Sequence, residues 1–219
     1  MNKNSKKYII GSILVLVFII LVCSGVVQQK NSEKKQLKEL SQEQKENIKS
    51  AKQLKEEYDS IIVGDKKNID KENATSIKDI TKKLGEPVFN GTTTNGKFTI
   101  NTQEWASGVD NELPADLTVN LINDAVVEKS ISNLYVSYNP KLVVKKTDFN
   151  DIKTNGDLTI NNAIKKFGEP NNLSEYINDS NQKVDSLTWN TNVTGPIDSF
   201  FNIVFINNKA NSKTEIGLE

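Results

Sequence analysis

Histidine and arginine are absent from this 219-residue chain, cysteine and methionine occur once each, and proline only five times. Each absence removes a class of chemistry. Without histidine, neither a Ser-His-Asp or Cys-His relay nor an imidazole metal ligand can form. Without arginine, the planar fork that grips phosphate or guanine through paired hydrogen bonds is missing, because all 28 cations are lysines. Those lysines are matched by 28 carboxylates, so the formal net charge is zero and nucleic acid is not an expected partner. The single cysteine, Cys23, lies in an apolar stretch and has no second thiol to pair with. Carboxylates, lysines, hydroxyls and amides are what remain for chemistry or recognition.

The length suits one or two small domains. The first seven residues carry Lys3, Lys6 and Lys7, and residues 8–27 then run for twenty positions without a charge. As a helix rising 1.5 Å per residue, that run matches the ~30 Å hydrocarbon core of a bilayer. The basic start predicts a cytoplasmic tail at 1–7, a transmembrane anchor at 8–27 and a C-terminal portion outside the cell, although Lys30, Lys34 and Lys35 reduce the charge asymmetry. Two processing alternatives stay open. A cleaved signal peptide would use Cys23-Ser24-Gly25, and a lipoprotein would be modified at Cys23 despite Val22 before it. All three put the remainder outside the cytoplasm.

Residues 28–63 change character to lysine, glutamate and glutamine, with Leu37, Leu40, Ile48, Ala51, Leu54, Tyr58 and Ile61 at spacings near three, four or seven. This pattern predicts a charged helical stalk with a thin apolar stripe. It reads either as a spacer holding the distal part off the membrane or as a weak coiled coil, whose seam Gln44 and Ala51 would impair. Charge divides here: residues 1–63 hold 11 lysines against 7 acids, residues 64–219 hold 17 against 21.

The distal part resembles itself. Ile77-Lys78-Asp79-Ile80-Thr81-Lys82-Lys83-Leu84-Gly85-Glu86-Pro87 aligns with Ile160-Asn161-Asn162-Ala163-Ile164-Lys165-Lys166-Phe167-Gly168-Glu169-Pro170. With one inserted residue, Trp105 aligns with Trp189, Leu117 with Phe201, Lys129 with Lys213 and Leu134 with Leu218. Thr75 or Thr159 can cap a short helix, glycine supplies a left-handed stop, and proline forbids continuation. Period-two runs follow: Leu117, Val119 and Leu121; Leu187, Trp189, Thr191 and Val193; and Phe201, Ile203 and Phe205. Asn123-Asp124 and Asn207-Asn208 mark turns before a last strand. The expected fold class is α+β, with two tandem helix-plus-antiparallel-sheet repeats at 64–134 and 147–219, joined by a linker at 135–146. Helices should cover one sheet face and leave the other free.

At these residues the chain resembles an uncharacterised exported-domain family of Gram-positive bacteria. The resemblance is carried by Phe149-Asn150-Asp151-Ile152-Lys153, Gly156-Asp157-Leu158-Thr159, Phe167-Gly168-Glu169-Pro170, Leu187-Thr188-Trp189 and Ser212-Lys213-Thr214. That family is similar in fold to beta-lactamase inhibitory protein and to the SmpA outer-membrane assembly lipoproteins. The first copy lacks an equivalent of Gly156-Asp157, which puts its first helix and turn in question. The resemblance implies a domain that binds another protein on its sheet face and brings no catalytic residue.

Four aromatic residues are candidate partner contacts. Trp105 and Trp189 sit at matching places, and in the resembling inhibitors sheet-face aromatics touch the partner, but each tryptophan could equally pack between its own sheet and helix. Phe89 and Tyr176 follow the Gly-Glu-Pro turns and should lie nearer the rim. Glu86 and Glu169 read as solvated turn residues in separate repeats, without the spacing of a catalytic carboxylate pair. Asp148, Asp151 and Asp157 lack the glycine and terminal glutamate of a calcium loop. No cofactor or metal is expected. The reading is a membrane-anchored extracytoplasmic module that binds a protein or an envelope component and is not an enzyme, or alternatively a structural or regulatory subunit of a membrane complex.

Overall fold

The computed structural model describes residues 51–69, 73–107, 114–154 and 156–219. The anchor at 8–27, Cys23 and most of the stalk lie outside these. Among the described residues no helix is long and apolar enough to cross a membrane. The elements run α1 (Ala51–Ser60), α2 (Ile77–Leu84), β1 (Phe89–Asn95), β2 (Phe98–Ala106), β3 (Asp116–Ile122) and β4 (Ala125–Ser132). The same order then recurs as α3 (Lys146–Asn150), α4 (Ile160–Phe167), β5 (Asn172–Ile177), β6 (Lys183–Trp189), β7 (Phe200–Ile206) and β8 (Lys209–Ile216). All eight strands form one antiparallel sheet in chain order.

Local chemistry explains the boundaries. Thr159 caps α4, its hydroxyl accepting from Asn162 N at 3.3 Å. Its expected counterpart Thr75 does not cap α2: Ser76 does, accepting from Asp79 N at 3.3 Å, while the Thr75 hydroxyl accepts from Ile62 N at 2.8 Å. Both helices end at glycine with positive φ, 78° at Gly85 and 83° at Gly168. The ψ angles of −167° and −176° are extended rather than left-handed helical, so the chain leaves the helix directly towards its proline and next strand. Asn123-Asp124 and Asn207-Asn208 have positive φ at both residues, as two-residue hairpin turns between right-twisted strands require. Each of these hairpins carries a bulge, at Asn120/Leu121 and at Val204/Phe205.

Residues directly paired across strands share a face. Trp105, Leu117 and Ile131 are one such row, and Trp189 and Phe201 another. All four helices bury their apolar residues against this face. Leu54, Tyr58, Ile80 and Leu84 pack on Trp105, Leu117 and Val119, and Phe149, Ala163 and Phe167 pack on Trp189, Phe201 and Ile203.

The stalk boundary expected after residue 63 does not hold, because Leu54, Tyr58, Ile61 and Val63 are all buried in the first cluster. The helix left in question in this half does form, and a lysine holds its end. Lys129 Nζ donates to the carbonyls of Tyr58 (2.9 Å) and Ile61 (2.8 Å). Lys213 does the same at α3, donating to the carbonyls of Phe149 (2.6 Å) and Asn150 (2.8 Å). Each ammonium also sits over the aromatic ring of its helix, 4.5 Å from the Tyr58 centroid and 4.6 Å from that of Phe149. A cation is the complement that the carbonyl end of a helix calls for.

Lys129 also lies 3.2 Å from Glu175, and Lys183 bridges Glu175 (3.0 Å) and Asp185 (3.4 Å). Asp185 Oδ2 is buried without a hydrogen-bond partner. Burial lifts the Asp185 carboxyl above its ordinary 3.8, against the opposing pull of Lys183. A carboxyl raised in the fold contributes stability that is complete below pH 3.8 and is lost as pH climbs through the folded value. Asp185→Asn should therefore remove a fall of at most about 1.4 kcal/mol per pH unit in that window. Denaturant unfolding of both proteins between acid and neutral pH checks this; parallel pH profiles would refute it.

Candidate functional site

The face opposite the helices is the candidate recognition surface. Its centre is built from hydroxyls and amides because successive strands place Thr118, Ser130, Ser174 and Ser186 in one cross-strand row. A second row runs Thr102, Asn120, Glu128, Tyr176. Thr102 Oγ1 donates to Asn120 Oδ1 (2.7 Å), and Asn120 Nδ2 donates to Glu128 Oε2 (2.9 Å). In the C-terminal half, Asn202 Nδ2 donates to the hydroxyls of Ser186 (2.8 Å) and Thr188 (2.9 Å). These bonds fix side chains that would otherwise rotate; Ser186, Thr188 and Asn202 are buried, so the set pattern of donors and acceptors is presented by the partly exposed side chains of β2 to β5.

Electrostatics vary along the second row. Burial pushes the Glu128 carboxyl up, with the Asn120 bond and Lys66 opposing it. Burial, then Glu128 and Asp179, push the neighbouring Tyr176 hydroxyl up, so it stays a protonated donor at neutral pH.

The four aromatic candidates separate. Tyr176 and Phe89 lie on this face, Tyr176 partly buried beside Glu128 and Phe89 50% exposed opposite Glu104 at the edge. Trp105 and Trp189 do not reach it: at 0% and 1% exposure they point the other way, under the helices. Their indole N–H groups donate to the carbonyls of Gly85 (2.9 Å) and Gly168 (2.8 Å). Matching tryptophans thus brace matching helix stops, and neither can touch a partner. Alternation alone could not say which side of the strand faced the core. The face is therefore polar at its centre, and strand alternation places Phe98 and Phe200 on it as well as Phe89 and Tyr176.

Sequence reasoning passed over several exposed apolar residues, Ile62, Tyr135, Tyr138 and Ile216 among them, and one more stands out. Ile197 is 94% exposed in the loop between β6 and β7. Gly195 holds that loop at φ 121°, where an added Cβ would run into the Gly217 carbonyl oxygen, and Ser199 Oγ donates towards the carbonyls of Pro196 (2.7 Å) and Gly217 (3.0 Å). A lone isoleucine in a loop has no periodicity to mark it.

Glu86, Glu169, Asp148, Asp151 and Asp157 are exposed, and Asp148 Oδ2 accepts from Lys145 N at 3.0 Å. Among the described residues no three His, Cys, Asp or Glu side chains gather in a way that could hold a metal.

A solved structure of a "putative beta-lactamase inhibitor protein" from Streptococcus mutans shares the fold, with a TM-score of 0.57 at 22% identity over 78% of this chain and 100% of that one. No curated protein matches. The family model of a domain of unknown function with a solved structure, DUF3862, matches residues 50–218, and the chain belongs to that family.

Proposed function

We propose that this protein is a membrane-anchored extracytoplasmic binding module without catalytic activity, built by duplication of a two-helix, four-strand unit. The observation that carries the reading is the sheet face that no helix among the described residues covers. The four helices among the described residues place their buried residues on the other side, while this side holds a hydrogen-bonded field of hydroxyls and amides with Tyr176, Phe89, Phe98 and Phe200. Such a pre-set polar surface with a few aromatics suits recognition of a protein or envelope component. The uncharged run at 8–27 supports an anchor that would hold this face outside the membrane. The likeness to a protein described as a beta-lactamase inhibitor supports binding over chemistry, as does the lack of histidine.

Photo-crosslinking in cells tests this. Probes at Phe89 or Tyr176 should give one discrete adduct that a probe at exposed Lys165 on α4 does not give. Tyr176→Ala should weaken that partner's affinity roughly tenfold while moving stability by less than about 1 kcal/mol. Adducts formed only from residues 28–50 would instead favour the alternative, a structural or regulatory subunit held through its membrane-proximal segment.

A further inference from the structure

A second site lies on the other side of the sheet, between α2 and the β1–β2 edge. An open groove of about 430 Å³ lies there, lined by Ile77 and Pro87, by exposed Asn90 beside Gln103, and by Lys78, Lys82 and Glu86. Gln103 Oε1 is buried without a hydrogen-bond partner.

The C-terminal half shows what this place looks like when it is only structural. Asn90 pairs with Gln103 across β1 and β2, two residues before Trp105; Leu173 pairs with Leu187 across β5 and β6, two residues before Trp189. On the helix above, Thr81 stands where the other half has Ile164. Leu173, Leu187 and Ile164 pack into the second apolar cluster. Three apolar side chains that close a seam in one half are thus three polar ones that line an opening in the other. An opening that could be filled by the leucines of its own counterpart, and that leaves an acceptor unpaired, is less stable than the filled version. A ligand that pairs the acceptor supplies the reason to keep it.

We infer that this cavity binds the carboxy-terminal end of a peptide. Lys78 and Lys82 stand one helical turn apart on α2 and supply two cations for a carboxylate. A wholly anionic ligand without a donor, such as sulfate, would leave Gln103 Oε1 unanswered and would face Glu86. A peptide end carries amide N–H donors beside its carboxylate and so satisfies both. Ile77 and Pro87 offer an apolar wall to its last side chain. Access is open from one side: among the described residues β1 has β2 as its only strand neighbour, so an extended peptide can lie along it. A peptide residue opposite Asn90 would point to the cavity side of the sheet. This surface is separate from the helix-free face.

The test uses full-length protein in nanodiscs and the fluorescein-labelled tripeptide Ala-Ala-Leu, with either a free carboxylate or a carboxamide at its end, read by fluorescence polarisation. The acid should bind saturably and the amide at least about tenfold more weakly. Lys78→Gln with Lys82→Gln should bring the acid down to the level of the amide. Gln103→Leu, and the triple change Thr81→Ile, Asn90→Leu and Gln103→Leu, should abolish binding at an equal or higher melting temperature, so that loss of binding is not loss of fold. Equal binding of acid and amide, undiminished binding to the filled cavity, or no saturable binding by about 1 mM peptide would each overturn the inference.

Discussion

Trp189→Ala lowers the unfolding free energy by about 3–5 kcal/mol, the range for deleting a large aromatic from a closed core. The value follows from what the ring touches. Trp189 stacks on Phe201 with centroids 4.9 Å apart and planes 10° apart, and Phe167 meets it edge-on at 5.8 Å and 72°. Alanine would empty that space and leave the Gly168 carbonyl without its indole donor. Trp189→Phe separates the two losses, since it keeps most of the packing and forfeits the hydrogen bond; about 1 kcal/mol is expected for that alone, plus a smaller packing term. Urea unfolding followed by circular dichroism measures both. An alanine variant within 1 kcal/mol of the parent would mean that Trp189 is not packed as described.

Lys129→Met and Lys213→Met form the second comparison, and their inequality is the point. Both lysines donate to two carbonyls at the end of a helix. Lys129 is 3% exposed, whereas Lys213 is only partly buried. Without Lys129, the Ile61 carbonyl loses its side-chain donor and the Tyr58 carbonyl keeps only the longer bond from Ile61 N (3.3 Å), and Glu175 keeps only Lys183. A loss of about 3 kcal/mol is expected, near the lower end for a broken buried pair. Without Lys213, water can take over much of the bonding, and about 1 kcal/mol or less is expected. Unfolding of the two variants under one set of conditions decides it; equal losses would show that burial does not set the value of these contacts.

Some of this was legible in the residues. The Gly-Glu-Pro stops, the Asn-Asp and Asn-Asn turns and the strand alternation are local signals, each enforced by φ/ψ preferences that tertiary structure did not override. What the sequence concealed depends on contacts between distant segments. Helix α1 is rich in lysine and glutamate, so its stripe of Leu54 and Tyr58 looked like one face of a solvated stalk. Its true partner, the buried Lys129, lies on a strand far along the chain and is of the residue type least expected in a core. Thr75 and Ser76 are adjacent and equally able to cap, and only the bond from Ile62 to Thr75 decides between them. For the recognition face, the register places serines and threonines side by side without any motif. The aromatic candidates were half legible for the same reason, since alternation locates a residue on a face without naming the face.

The sheet grows by a junction that it uses once. Within the chain, β4 meets β5 with Lys129 opposite Glu175 and Ile131 opposite Leu173, an opposite-charge pair and an apolar pair. Repeating that junction between molecules, β8 of one against β1 of the next, would set Lys213 opposite Thr92 and Glu215 opposite Asn90. Neither reproduces the opposite-charge or the apolar pair, and both charges are already engaged, Lys213 with the end of α3 and Glu215 with Lys146. A head-to-tail contact of this kind does not close on itself, so success would mean an open fibre rather than a dimer. The outer strands therefore act as chain terminators: they keep the geometry of the inner junction while withholding the side chains that would propagate it.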